Sequence, residues 1–357
     1  MTPKVDILIL GAGPAGATAA RLLALQGRSV LLLRGPASRN PHAGSLPPTI
    51  AEVFRSIGVL DAIEQANFYP DLGVVRWWLD AEAEVESYGE GSRGYHVQRH
   101  ALDELLLTLA ESAGVEVQRN SRAPRVELDR GIVEHDGGVT EARFVLDATG
   151  RAGLIARQIR RFWDPRYRTV GLCGLLRASE TFDADPHYNL MEAYDRGWAW
   201  SVPLSPRCRY VCFYVDASIA RDGETQFRAE LARTVEFQRL FGDAELESPP
   251  WVRDSSLYYS ERYAGTNWML MGDAASFADP LSSSGVEKAL LSAQFTAEAI
   301  GRCLDRPAEA GEAIRSMNAR EARVWREHAE SAARTYAAML DLYDTPFWRD
   351  RAKPPEL

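Results

Sequence analysis

Apolar residues run almost unbroken from 5 to 10, an alanine- and leucine-rich stretch fills 17–26, and a second apolar run covers 29–33. Strand, glycine turn, helix and strand in that order and at that spacing predict a βαβ unit with parallel strands. Residues 36–48 are rich in proline, serine, glycine and histidine and predict a loop. A helix is expected over 51–68 with a break at Gly58, and strands over 73–78 and 85–88. Behind Arg99, Leu102, Leu105, Leu106 and Leu109 recur at helical spacing and lead into a strand-like 115–117. Residues 126–139 read as a hairpin turning near Asp136-Gly137-Gly138, and 144–147 as a strand. Several β-like runs follow, 210–215 among them, so a sheet is expected within 170–265; from Glu287 onward the pattern is helical.

A chain of 357 residues with 46% hydrophobic content suits two intimately built domains. Its net charge of -9 argues against a nucleic-acid or anionic-membrane surface as partner. The four cysteines, Cys173, Cys208, Cys212 and Cys303, lack paired metal-ligand spacing and read as buried free thiols; no metal site is expected. With no basic leader ahead of the first strand and no apolar run of spanning length, a soluble cytoplasmic protein is expected.

The candidate chemistry lies in three glycine-marked segments. In Gly11-Ala12-Gly13-Pro14-Ala15-Gly16, Gly11 permits the tight turn, Gly13 lets a pyrophosphate approach the backbone, and Gly16 lets the helix pack on the strand. Asp147-Ala148-Thr149-Gly150 closes a later strand, and Gly272-Asp273-Ala274-Ala275 opens a segment that runs through Pro280 to Ser284-Gly285-Val286 and a helix. Together they point to FAD. Asp273 is suited to hydrogen-bond a ribityl hydroxyl, and the amides around Gly285 and Val286 to face the flavin's pyrimidine end. Arg34 departs from the pattern, because the second strand of such a unit normally ends in an acidic residue that holds the adenosine ribose. Three readings stand for it: a site for a 2'-phosphate, a loosely held adenosine end with weak FAD retention, or a solvated strand-end arginine. No second GxGxxG unit follows, so reduction by transient NAD(P)H or by a separate flavin reductase is expected.

These residues resemble the FAD-dependent monooxygenase superfamily typified by aromatic hydroxylases and, within it, the flavin-dependent halogenase branch. The match extends through GAGPAG at 11–16, Ser45-Leu46-Pro47-Pro48, Arg99 before a helix, DATGR at 147–151 and GDAASFADPLSSSGV at 272–286. Gly197-Trp198-Ala199-Trp200-Ser201-Val202-Pro203 is similar to the WxWxIP signature of halogenases, with Val202 for isoleucine; two tryptophans packing a sheet is the plainer reading. The resemblance implies an α/β fold in which a Rossmann-like FAD-binding domain of the GR2, or aromatic hydroxylase, type (1–75, 95–165 and 266–305) is interleaved with a β-sheet substrate region (76–94 and 166–265), followed by a helical C-terminal tail (306–357). It also implies a cofactor shell of Gly11, Gly13, Pro14, Ala15, Gly16, Arg34, Ser45, Arg99, Asp147, Gly150, Gly272, Asp273, Pro280, Ser284, Gly285 and Val286.

Halogenases of this family place a lysine between flavin and substrate. Aligned through Phe68-Tyr69-Pro70-Asp71-Leu72-Gly73, that position is Asp71, and the chain's lysines are Lys4, Lys288 and Lys353. A carboxylate cannot replace an ammonium there, and only Lys288 leaves a route to halogenation. The expectation is therefore oxygenation, through a flavin C4a-hydroperoxide, of an electron-rich indole or phenol. Asp71 is the candidate base or hydrogen-bond anchor, with a solvated loop aspartate as the alternative; Trp198 and Trp200 are the other catalytic candidates. His42, His96, His100 and His187 are further titratable groups without an assigned role. GSLPP and the 343–348 ending also resemble flavoproteins that mature tryptophylquinone enzymes, which would make the substrate a tryptophan side chain of a partner protein rather than a free aromatic molecule. A halogenase, a flavin-dependent reductase or dehydrogenase, and a non-catalytic flavin-binding maturation factor remain the competing functions.

Overall fold

The computed structural model describes residues 3–36, 40–79, 82–123, 125–219 and 223–353. The expected βαβ unit is Lys4–Leu10, helix Pro14–Leu25 and Val30–Arg34. It anchors a sheet ordered Ala264–Gly265, Trp268–Leu270, Gly138–Asp147, Lys4–Leu10, Val30–Arg34, Glu116–Arg119, parallel from Trp268–Leu270 onward. Its register pairs Leu10 with both Asp147 and Leu33, and Asp147 with Leu270. All three glycine segments therefore leave the carboxyl edge of one sheet at the same level, where open α/β sheets hold their ligands.

Helices Pro14–Leu25, Arg99–Ser112 and Gly285–Asp305 cover one face of this sheet, burying Ile7, Ile9, Leu23, Leu102, Leu106 and Leu290. Leu8, Leu31 and Val145 bury the other face with Ile155 and Ile159. Helix Pro14–Leu25 lies so close to the turn before it that a Cβ added at Gly16 would stand 1.9 Å from the Gly11 carbonyl oxygen. Gly11 itself has φ +100, a backbone state that favours glycine.

The second large sheet runs Glu245–Leu246, Thr169–Arg177, Cys208–Asp216, Gly197–Ser205, Tyr188–Tyr194, Gly73–Trp77, Glu84–Ser87, with Trp251–Asp254 also on Thr169–Arg177. Because Gly73–Trp77 belongs to it, the chain enters this sheet slightly before residue 76. Its alternation divides two cores. Leu172, Phe213 and Ala199 face helices Glu224–Leu231 and Glu236–Phe241, while Cys173, Trp198, Val202 and Tyr210 face Tyr336, Phe347 and Trp348. The expected C-terminal tail is thus a structural wall, formed by helices Ala310–Ala337 and Pro346–Arg351.

Several expectations need correction. The 36–48 segment contains a strand, Ala43–Leu46, paired with Gly94–Gln98 in a small sheet that also includes Tyr69–Asp71; residues 37–39 lie outside the described residues. Pairing with a distant strand, invisible to local composition, overrode the loop signal. By contrast, the expected break at Gly58 is present: with φ +68 it divides helices Ile50–Ser56 and Leu60–Gln65, the second of which ends short of Phe68. The 126–139 hairpin and the 144–147 strand share one strand, Gly138–Asp147, folded back against Ile132–His135. The two helices between 224 and 241 were absent from the expected sheet region.

Gly16→Ala should destabilise the fold by about 1–3 kcal/mol, the usual cost of forcing a methyl group into filled space. A lowered urea midpoint at unchanged m-value would register it; an unmoved midpoint would mean that the first strand and helix separate freely.

Candidate functional site

A cavity of about 1220 Å³ opens along the carboxyl edge of the parallel sheet and reaches the aromatic face of the second sheet. Gly11, Gly13, Pro14, Ala15, Arg34, Ser45, Arg99, Gly150, Gly272, Asp273, Pro280, Ser284, Gly285, Val286, Trp198 and Trp200 line it. The N-termini of helices Pro14–Leu25 and Gly285–Asp305 both end at its wall, so unpaired amides and the positive ends of two helix dipoles converge there. A Cβ built on Gly13, Gly150 or Gly285 would meet no atom within 4 Å. The wall at these points is bare backbone facing open space, which fits the dinucleotide expected from the sequence, and the volume exceeds that of an ordinary small-molecule pocket.

Three expected site residues stand elsewhere. Gly16 is packed against Gly11 rather than facing the cavity. Asp147 is fully buried and its carboxylate accepts from the amides of Thr149 (3.0 Å), Ile155 (2.7 Å) and Ala156 (3.2 Å) and from Thr149 Oγ1 (2.6 Å). It shapes the turn that presents Gly150. Asp71, the candidate base, is also fully buried and absent from the cavity wall. Ser45 Oγ donates to it at 2.5 Å, Asn189 Nδ2 at 3.0 Å and the Gly73 amide at 3.1 Å, and His96 Nε2 lies 3.4 Å away. Burial excludes the solvated-loop reading; Asp71 stands behind the cavity wall and holds Ser45, which lines the cavity.

Arg34 faces the cavity but is ion-paired with Glu104 of helix Arg99–Ser112, which also binds Arg119 at 3.3 Å. Lys288 is buried, with Nζ donating to the backbone carbonyls of Gly272 (3.1 Å) and Ser276 (2.5 Å), and it does not reach the wall. Burial lowers its pKa. Lys288 therefore stitches the Gly272–Ser276 turn to the following helix. Of the histidines, His42 and His100 line the cavity, whereas His187 stacks on Tyr69 with ring centroids 5.3 Å apart.

Sequence reasoning missed two groups. Asp279, inside the third glycine segment, lines the cavity and is 1% exposed. It accepts from Tyr167 Oη at 2.7 Å, from Tyr336 Oη at 3.2 Å and from the Leu281 amide at 2.8 Å, and Trp198 Nε1 donates to Tyr336 Oη at 3.2 Å. Burial raises the Asp279 pKa against those hydrogen bonds. The second group is Trp251 and Arg253, on alternate positions of one strand and both lining the cavity. Their signal was the i, i+2 spacing of a large aromatic and a charge, which puts both on one face of a strand.

A flavoprotein-like α/β fold with a dinucleotide crevice and an aromatic chamber is the class this arrangement defines. The family model for tryptophan halogenase matches residues 81–356, and the chain belongs to that family. Tryptophan 2-halogenase of Chondromyces crocatus is 29% identical over 323 residues, covering 83% of this chain and 61% of that protein, so the chain spans less than two thirds of this relative's length. The myxobacterial chondrochloren halogenase CndH superposes with a TM-score of 0.89 at 25% identity, covering 98% of this chain and 86% of that one. The peptidyl tryptophan dihydroxylase QhpG, essential for tryptophylquinone cofactor biogenesis, superposes with a TM-score of 0.82 at 26% identity, covering 99% and 80%. Among the described residues no helix is long and apolar enough to cross a membrane.

The His42 pKa is held well below 6.5 by burial first, then by Arg253 and Arg99. A histidine that stays neutral when folded but protonates when unfolded contributes stability above its unfolded pKa, and that contribution is lost as pH falls through about 6.5 toward the folded value. Urea midpoints of the wild type should therefore drop more between pH 7 and pH 5 than those of His42→Asn; parallel profiles would contradict the assignment.

Proposed function

We propose that this chain is an FAD-dependent oxidoreductase that hydroxylates an electron-rich aromatic ring, an indole or phenol, instead of halogenating it. The observation that carries this reading is the lysine inventory. Lys4 is paired with Glu141 at the surface, Lys288 is bound to two backbone carbonyls, Lys353 lies beyond the last helix, and none lines the cavity. The position corresponding to the halogenase lysine is the buried support Asp71. The likeness to a tryptophan dihydroxylase favours the same chemistry. Halogenation is the reading favoured by most relatives and is the outcome that the experiment below separates.

In this reading the amides at Gly13, Pro14 and Ala15 frame the diphosphate, with Pro14 supplying shape rather than a donor. Asp273 holds the ribityl chain, and Ser284, Gly285 and Val286 hold the pyrimidine edge. Bound and reduced, FAD supplies activated oxygen. The protein's part is to orient and enclose: Trp198, Trp200 and Tyr214 form an aromatic wall that excludes water, and Asp279 and the two tyrosines fix that wall against the Gly272–Val286 segment. The strands between 166 and 265, with those between 73 and 94, form the substrate side. Electrons come from NAD(P)H or a separate flavin reductase.

Asp273→Ala should weaken FAD binding by about tenfold or more, the loss expected for a charge-assisted hydrogen bond, with an unchanged circular dichroism spectrum; retained affinity would displace Asp273 from the ribityl site. The reaction itself is tested by intact-mass analysis after incubation with FAD, a flavin reductase, oxygen, chloride or bromide, and a panel of indoles, phenols and tryptophan-containing proteins. Added oxygen on one component is expected. Added halogen would overturn the argument from the lysines.

A further inference from the structure

Four strands set two rows of side chains on the cavity face of the second sheet. Register places Trp198 opposite Tyr214, Tyr214 opposite Gly171 and Gly171 opposite Arg253. The adjacent row runs Trp200, Cys212, Cys173, Trp251. Large residues occupy both ends of each row; Tyr214 and Gly171 fill the middle of one, and Cys212 and Cys173 the middle of the other. Gly171 is obligatory in this pattern, since a Cβ there would stand 2.7 Å from Cys212 Sγ. The Trp198 and Tyr214 rings stack with centroids 4.2 Å apart. Gly171, Cys173 and Cys212 are sealed beneath, and the cavity wall here consists of the rings of Trp198, Trp200, Tyr214 and Trp251 with one guanidinium beside them.

Among the described residues that guanidinium has no carboxylate partner; the hydroxyls of Tyr210 and Tyr214 and the thiols of Cys173 and Cys212 are nearby. Its Nη1 donates to the His42 ring at 2.6 Å, and burial together with Arg253 and Arg99 favours the neutral imidazole. The neighbouring Asp254 is engaged by Arg151 at 2.8 Å instead. Among the described residues no carboxylate forms an ion pair with Arg253, whereas Arg34 and Arg99 in the same wall are paired with Glu104 and Asp103. Leaving a half-buried cation without a counter-ion is costly, and the cost is recovered when a ligand brings the missing anion in a geometry that matches the planar fork.

We infer that Arg253 is the anchor for a carboxylate carried by the aromatic substrate, whose ring lies in the cavity against Trp198, Trp200, Tyr214 and Trp251. The inference rests on reading this end of the cavity as the substrate chamber of the proposed oxygenase, and it narrows the substrate class to aromatic acids. A tryptophan residue within a polypeptide has no such carboxylate of its own. Arg253 thereby fixes which ring edge faces the flavin end of the cavity, acting as a specificity determinant and not as a participant in bond formation.

Calorimetric titration of the FAD-loaded protein with indole-3-acetate and its neutral isostere indole-3-acetamide tests this directly. The acid should bind about tenfold or more tightly than the amide, as expected for a charge-assisted hydrogen bond. In Arg253→Gln the preference should vanish while amide and FAD affinities persist, and Arg253→Lys, which keeps the charge but loses the fork, should retain part of it. Equal affinity of the two compounds for the wild type, or no binding of the acid, would overturn the inference. So would loss of FAD affinity in Arg253→Gln, which would assign the guanidinium to the flavin. Binding is read without turnover, so a clear acid preference in a protein that inserts no oxygen would sink the oxygenase reading and leave the anchor in place.

Discussion

The buried carboxylate of Asp279 joins three parts of the chain that are far apart in sequence: the motif segment after Gly272, the sheet strands that carry the aromatic wall, and the long C-terminal helix. Tyr167 and Tyr336 donate to it, and Trp198 is held through Tyr336. A carboxylate with 1% exposure is tolerable only while such donors remain in place. The same contacts that satisfy it therefore fix the distance between the dinucleotide crevice and the aromatic face. Arg351, on the last helix, reinforces the arrangement from behind by binding Thr169 Oγ1 at 2.9 Å and the Arg168 carbonyl at 3.1 Å.

Around this node the site separates into regions by how each charge is settled. At the dinucleotide end, arginines are paired with carboxylates and two helix N-termini present free amides. Asp71 and Asp147 are instead satisfied by hydroxyl, amide and backbone donors, with His96 also beside Asp71, and serve as supports for Ser45 and Gly150. At the aromatic end no carboxylate among the described residues pairs with Arg253. In the proposed reading one end receives a diphosphate and the other a smaller anion attached to a ring.

Much of the cofactor crevice was legible because its requirements are local. A glycine after a strand and before a helix has the same meaning wherever the rest of the chain lies, and the parallel register then brings the three segments to one edge. Asp71 was misjudged because alignment supplies a position but not a direction: pairing of Tyr69–Asp71 with Gly94–Gln98 turns its side chain inward under Ser45. The Ala43–Leu46 strand was hidden for a similar reason, since its partner is half a hundred residues away and its own composition is that of a turn. Arg253 carried only a weak signal, an i, i+2 pairing with Trp251, and its lack of a counter-ion is a property of every neighbouring element at once.

By itself, then, the sequence determined the βαβ unit, the three glycine turns and the identity of the residues offered at their tips, because backbone sterics and strand-to-helix order act over a few residues. The tertiary structure alone decided which charged groups face the cavity and which are sealed beneath it. Strand pairing selects the face of each side chain, and burial removes the water that would otherwise neutralise the difference between a paired and an unpaired charge.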